Sequence, residues 1–173
     1  MPYTENDSKV GNLAVGTNVK SLLRSQCSQK PSFESFSVHT CESAEESHRL
    51  GKVFGESLET DSVVAFFGDL GAGKTTFIRG LAEGVGLADL REICSPTFNL
   101  LNIYFATKTI YHFDLYRLPN QKEFFEAGFG EYLHAGGICC IEWAEKIKDA
   151  LPYHTHFVSL SYLGEQARKI EIR

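Results

Sequence analysis

Apolar residues change their spacing along this chain, and each change marks an element. Ser62-Val63-Val64-Ala65-Phe66-Phe67 is a short, almost unbroken apolar run that reads as a strand buried on both faces. After a glycine-rich interval, Phe77, Ile78, Leu81 and Val85 recur at helical spacing. Upstream, Leu50, Val53, Phe54 and Leu58 keep the same period behind Ser43 and Glu46, which spell a capping box. A strand over residues 33–39 is expected before that helix. Further on, 99–104 and 109–113 alternate or run apolar around Phe105-Ala106-Thr107-Lys108, the pattern of an antiparallel hairpin. A helix over 121–127, a buried strand over 137–141 and a terminal hairpin turning at Gly164 complete the series. Together they predict an α/β fold: a three-layer sandwich with a mixed parallel and antiparallel sheet and helices on both faces.

Composition narrows the class. The chain has 173 residues, 43% hydrophobic and 23% charged, enough for one domain with a full core. That domain is expected over 33–173. Residues 1–32, rich in Ser, Asn, Gly and Gln and without periodicity, are expected to form a poorly ordered extension. It has neither the continuous apolar stretch of a signal peptide nor the arginines of a transit peptide, Arg24 being alone there. No 18-residue apolar stretch suggests a membrane span. Five cysteines, an odd number without a C-x-x-C pair, fit a reducing, cytoplasmic setting better than a disulfide framework. A net charge of −5 disfavours a broad nucleic-acid surface, so any RNA contact is expected to be indirect.

The glycine-rich interval carries the chemistry. Gly68-Asp69-Leu70-Gly71-Ala72-Gly73-Lys74-Thr75 is G-x-x-x-x-G-K-T, followed by Thr76. A loop of this kind wraps backbone N–H groups around nucleotide phosphates, sends its lysine to the β and γ oxygens and offers a hydroxyl to Mg²⁺. Chance alone produces the spelling roughly once in a couple of hundred proteins of this length. Placement between a buried strand and an amphipathic helix is the context that the motif requires. The fold expectation sharpens to a P-loop NTPase-like sandwich binding a nucleoside triphosphate with Mg²⁺, with Gly68, Asp69, Gly71, Ala72, Gly73, Lys74, Thr75 and Thr76 at the phosphates.

Two carboxylates end strands. Glu142 closes Ile138-Cys139-Cys140-Ile141, and Asp114 closes the run ending at Phe113, so each is delivered to the carboxyl edge of a sheet. Thr97, in Ser95-Pro96-Thr97-Phe98 after the loop helix, stands where related folds sense the γ-phosphate. Hydrolysis needs one group to orient water, and Asp114, Glu142 and Thr97 compete for it. The expected split has Glu142 with Thr75 at the metal and Asp114 at the water.

In this order, the blocks GDLGAGKTTF, SPTF, HFDLYRL (residues 112–118) and IEW (residues 141–143), with a later Leu151-Pro152, resemble the bacterial TsaE family of P-loop ATPases. The resemblance runs from residue 36 to the C-terminus; the longer segment before it departs from the family pattern. It implies ATP binding and slow, partner-stimulated hydrolysis in the threonylcarbamoylation of adenosine 37 in tRNA. The implied partners are TsaD, which transfers the threonylcarbamoyl group, and its scaffold TsaB, with tRNA handled by them and the isolated chain a monomer. By position, Thr97 matches the family's switch-like threonine, Asp114 its HFDLYR aspartate, and Glu142 with Trp143 its acid-aromatic pair.

Other residues carry weaker signals. Arg79, within the loop helix, and Arg117, three residues past Asp114, are the candidates for an arginine at the site. Trp143, the single tryptophan, either caps the core or shapes the site. His112 reads as a structural histidine, and His154-x-His156 as two imidazoles on one strand face without a third metal ligand. A small-molecule kinase is the rival reading, although no arginine-rich lid is visible, and a passive nucleotide switch is another. A GTPase lacks its guanine motif.

Overall fold

The computed structural model describes residues 36–173. The extension expected at 1–32 and the first residues of the strand expected at 33–39 lie outside them. In chain order the elements are β1 (Ser37–Cys41), α1 (Ala44–Ser57), β2 (Ser62–Phe67), α2 (Lys74–Gly84), β3 (Leu101–Tyr104), β4 (Ile110–Asp114), α3 (Gln121–Glu126), β5 (Ile138–Glu142), β6 (His156–Tyr162) and β7 (Arg168–Ile172). The strands form one sheet in the order β1-β7-β6-β2-β5-β4-β3. At its centre β6, β2, β5 and β4 run parallel, while β3, β7 and β1 pair antiparallel at the margins. The α/β expectation with a mixed sheet therefore holds.

Sequence explains the layers. β2 and β5 are buried along nearly their whole length because both faces are covered, which is why neither alternates. β6 and β7 alternate because one face of each is solvated. On one face α1 and α2 pack over Phe66, Val158 and Ile170, with the Phe54, Phe66 and Phe77 rings at 5.7–5.9 Å between centroids. The second layer is built differently, from the six-residue α3 and the 3-10 segments Phe129–His134 and Ala144–Ala150. Its core joins Phe113, Phe124, Phe129 and Ile141.

Capping follows the sequence with one change. Ser43 accepts the Glu46 N–H at 3.2 Å, but the Glu46 carboxylate accepts the N–H of Glu42 rather than that of Ser43. His154 also falls outside the expected place: β6 begins at His156, whose ring meets Phe54 edge-on, so the two imidazoles do not share a strand face.

The α1–α2 contact is unusually close. A β-carbon on Gly51 or Gly55 would stand 2.3 or 2.2 Å from the carbonyl oxygens of Phe77 and Leu81. On the facing helix, one on Gly80 or Gly84 would stand 1.9 or 2.1 Å from those of His48 and Lys52. Two glycine pairs, each spaced by four residues, thus let one helix backbone rest on the other. Since α2 starts at Lys74, this contact also sets where the phosphate loop ends.

Candidate functional site

The loop between β2 and α2 is shaped by three glycines with positive φ: Gly68 at 133°, Gly71 at 77° and Gly73 at 100°. A side chain at Gly68 would also meet the Leu160 carbonyl oxygen at 2.3 Å, so space and backbone both demand glycine there. Gly73 precedes the first helical residue and aims the α2 N-terminus at the space in front of the loop.

Strand register brings the acids to that space. Asp114 and Glu142 are neighbouring register partners at the ends of β4 and β5, and Glu142 is level with Phe66, two residues before Gly68. Both carboxylates are almost fully buried. A cleft of about 390 Å³ lies between them and the loop, lined by Gly71, Gly73, Lys74, Thr75 and Thr76 on one side and by Thr97, Asp114, Glu142 and Trp143 on the other.

Two separate hydrogen-bond networks line it. In the first, the Thr75 hydroxyl donates to Glu142 Oε1 at 2.8 Å, and His112 Nε2 lies 2.9 Å from the same oxygen. A carboxylate only accepts, so Nε2 carries the proton, while the buried Nδ1 has no hydrogen-bond partner. In the second, Thr97 donates to Asp114 Oδ2 at 2.7 Å, Ser95 donates to the same oxygen, and the Tyr116 N–H donates to Oδ1 at 2.9 Å. Register alone could not reveal this division. It assigns Glu142 to the phosphate loop and Asp114 to the Ser95–Phe98 segment.

Lys74 is 4% exposed and folds back on its own loop, donating to the carbonyl oxygens of Gly68 at 2.7 Å and Asp69 at 3.0 Å. Its ammonium also sits 4.1 Å from the centre of the Trp143 ring. Burial pulls its pKa below the ordinary lysine value, against the opposing attraction of Glu142, Glu145, Asp114 and Asp69. Trp143 takes up the left-handed conformation at φ 60°, which turns the chain at the end of β5 and lays the indole beside both Lys74 and Tyr116. Gly68, Asp69 and Ala72 serve the loop from behind the cleft wall, the first two through the carbonyls that hold Lys74.

Both candidate arginines are committed elsewhere. Arg79 donates to the Ile93 carbonyl at 3.0 Å, tethering the approach to Ser95, while Arg117 stacks on the exposed Phe98 ring at 4.7 Å. Sequence reasoning missed Tyr116 and Ser95 as partners of Asp114 and gave His112 only a structural part. The HFDLYR block that contains two of these three was the available signal.

Oxygen donors from Thr75 and Glu142 are the type Mg²⁺ prefers. Among the described residues no group of three or more His, Cys, Asp or Glu could hold a metal by itself. Such a site fits a cation that takes its remaining ligands from phosphates and water.

Comparison with known proteins gives the family. A family profile described as "Threonylcarbamoyl adenosine biosynthesis protein TsaE" matches residues 41–170. The tRNA threonylcarbamoyladenosine biosynthesis protein TsaE of Treponema pallidum is 44% identical over 130 residues, covering 75% of this chain and 95% of the relative. Its namesake in Bacillus subtilis is 36% identical over 127 residues, covering 73% and 78%. The crystal structure of Bacillus subtilis YdiB superposes with a TM-score of 0.65 at 29% identity, over 82% of this chain and 87% of that one. With the profile spanning both acids, the loop and the Ser95–Phe98 segment, the chain belongs to the TsaE family of threonylcarbamoyl adenosine biosynthesis proteins.

Proposed function

We propose that this chain is an ATPase of tRNA threonylcarbamoyladenosine formation, binding ATP with Mg²⁺ in the cleft and hydrolysing it slowly until partners complete the site. The observation that carries the reading is the Thr75–Glu142 pair at 2.8 Å beside a G-x-x-x-x-G-K-T loop.

Each residue has a role that its position supports. Lys74 is held where it can exchange the carbonyls of Gly68 and Asp69 for phosphate oxygens. The amides of Gly71, Gly73, Lys74, Thr75 and Thr76 belong to the loop and the α2 N-terminus, where anions are favoured. Thr75 and Glu142 would hold Mg²⁺, which when bound would supply positive charge to the phosphates. His112 keeps Glu142 oriented by occupying one side of Oε1. Asp114, with Thr97 and Ser95 attached to it, orients the attacking water and links it to the segment that senses the γ-phosphate.

No arginine lines the cleft among the described residues. Phosphoryl transfer gains about 10³–10⁵-fold from an arginine delivered to the transferring group. Slow intrinsic turnover and stimulation by the TsaB and TsaD proteins follow. Indirect contact with tRNA through those partners agrees with the chain's net charge of −5.

The test is ATP hydrolysis with Mg²⁺ by the purified chain, alone and with TsaB and TsaD, using Lys74→Ala as the blank. Stimulation that vanishes in the variant is expected. Equal turnover with and without partners, despite complex formation, would sink the partner-gated reading.

A further inference from the structure

The terminal hairpin lies outside the residues assigned any role above, yet it touches the phosphate loop at three points. The Leu160 carbonyl oxygen fills the space that a β-carbon on Gly68 would need, the Tyr162 hydroxyl donates to the Leu70 carbonyl at 2.8 Å, and Arg168 Nε donates to the Ala72 carbonyl at 3.1 Å. The same guanidinium stacks on the Tyr162 ring at 4.3 Å and donates through one terminal nitrogen to the carbonyls of Gly164, Glu165 and Ala167. Arg168 therefore ties the hairpin turn to the loop with a single planar group, which lysine cannot reproduce.

The consequence comes from peptide geometry. In a trans peptide the carbonyl of one residue and the N–H of the next point in opposite directions. Fixing the Leu70 carbonyl toward Tyr162 turns the Gly71 N–H away from the hairpin, and fixing the Ala72 carbonyl toward Arg168 does the same for Gly73. Both glycines line the cleft. They also hold positive φ and carry no side chain, so their peptide planes have little else to fix them.

We propose that Tyr162 and Arg168 are positioning residues for phosphate binding, clamping two carbonyls of the loop so that the Gly71 and Gly73 N–H groups face the phosphates. The inference deepens the nucleotide-binding reading and rests on it. Neither residue touches the ligand; both act through the backbone.

The experiment is calorimetric titration of the full chain with Mg²⁺-ADP and with AMP, for the wild type, Lys74→Ala, Tyr162→Phe, Arg168→Gln and Arg168→Lys. Tyr162 is 47% exposed, so deleting its hydroxyl leaves the fold intact. Tyr162→Phe should weaken ADP by about fivefold, the worth of one neutral hydrogen bond. Arg168→Gln should weaken it by about 10–100-fold, as for a charge-assisted bond, with Arg168→Lys in between. AMP should lose less, having fewer phosphate oxygens in the loop. Unchanged ADP affinity in Tyr162→Phe and Arg168→Gln, or an equal loss for AMP and ADP, overturns the inference while leaving nucleotide binding in place. A wild type that binds ADP no better than Lys74→Ala overturns the parent reading and the inference with it.

Discussion

Replacing Gly80 with alanine tests whether the α1–α2 contact is as tight as the geometry implies. The new β-carbon would lie 1.9 Å from the His48 carbonyl oxygen, 2.8 Å from its carbon and 3.0 Å from the Lys52 nitrogen. All three are helix backbone, so no side chain can swing aside, and the helices must separate by about 1 Å or more for ordinary contact. Overpacking of this kind costs about 1–3 kcal/mol and sometimes more, and a backbone obstacle places Gly80 at the upper end. Alanine returns about 1 kcal/mol through helix propensity. A net loss of about 2–3 kcal/mol follows, which for a domain of this size lowers Tm by about 6–12 °C. Thermal unfolding of the ligand-free chain by circular dichroism measures it, with Gly164→Ala as the control, where the added carbon meets nothing closer than 4.0 Å. Because α2 begins at Lys74, ADP affinity should fall as well. A Gly80→Ala variant as stable as the wild type would refute the close-contact argument.

Three other outcomes are expected. Glu142→Gln keeps an oxygen for Thr75 and His112 but loses the charge; single-turnover hydrolysis should fall by about 100-fold or more with ADP affinity within a few-fold, and an unchanged rate would remove Glu142 from the chemistry. Lys74, whose pKa burial lowers, penalises the ligand-free fold while charged in both states; as pH rises through its folded pKa toward 10.5, the unfolded chain holds the proton more firmly and stability rises. The Tm of the wild type should therefore gain on that of Lys74→Met over this window, and parallel curves would contradict the burial. Among the described cysteines, Cys94 is exposed, whereas Cys41, pushed up to about 11 by burial, and the fully enclosed Cys139 and Cys140 are not. A thiol reagent should modify Cys94 in the folded chain and the other three only on unfolding; rapid native labelling of Cys140 would show that β5 opens.

Much of this was legible because the local signals were strong. The apolar run of β2, the glycine loop and the α2 periodicity are contiguous, so one stretch of sequence carried strand, loop and helix together. Glu142 and Asp114 were found because an acid at the end of a buried strand breaks an otherwise apolar pattern. Glu142 was grouped with Thr75 only as an expected split of roles between the two acids; the hydrogen bonds each makes were not legible. That Glu142 meets Thr75 and Asp114 meets Thr97 depends on parallel pairing between strands separated by many residues, which leaves no trace in spacing. The paired glycines of α1 and α2 were overlooked for a related reason: each weakens its own helix, and their purpose exists only when the two helices meet. Arg168 and Tyr162 were invisible because they serve carbonyls, and any residue of the right reach can do so without a motif.

The placement of Trp143 gives the chain a built-in optical probe. It is the single tryptophan, and its indole lies against the Lys74 ammonium and the Tyr116 ring. Emission excited at the red edge of the protein band thus arises from one point in the cleft. A ligand that draws Lys74 toward its phosphates removes a cation from the face of the ring. On the proposed function, nucleotide arrival is expected to change the fluorescence of the unlabelled protein, and rapid mixing would time it without attaching a dye.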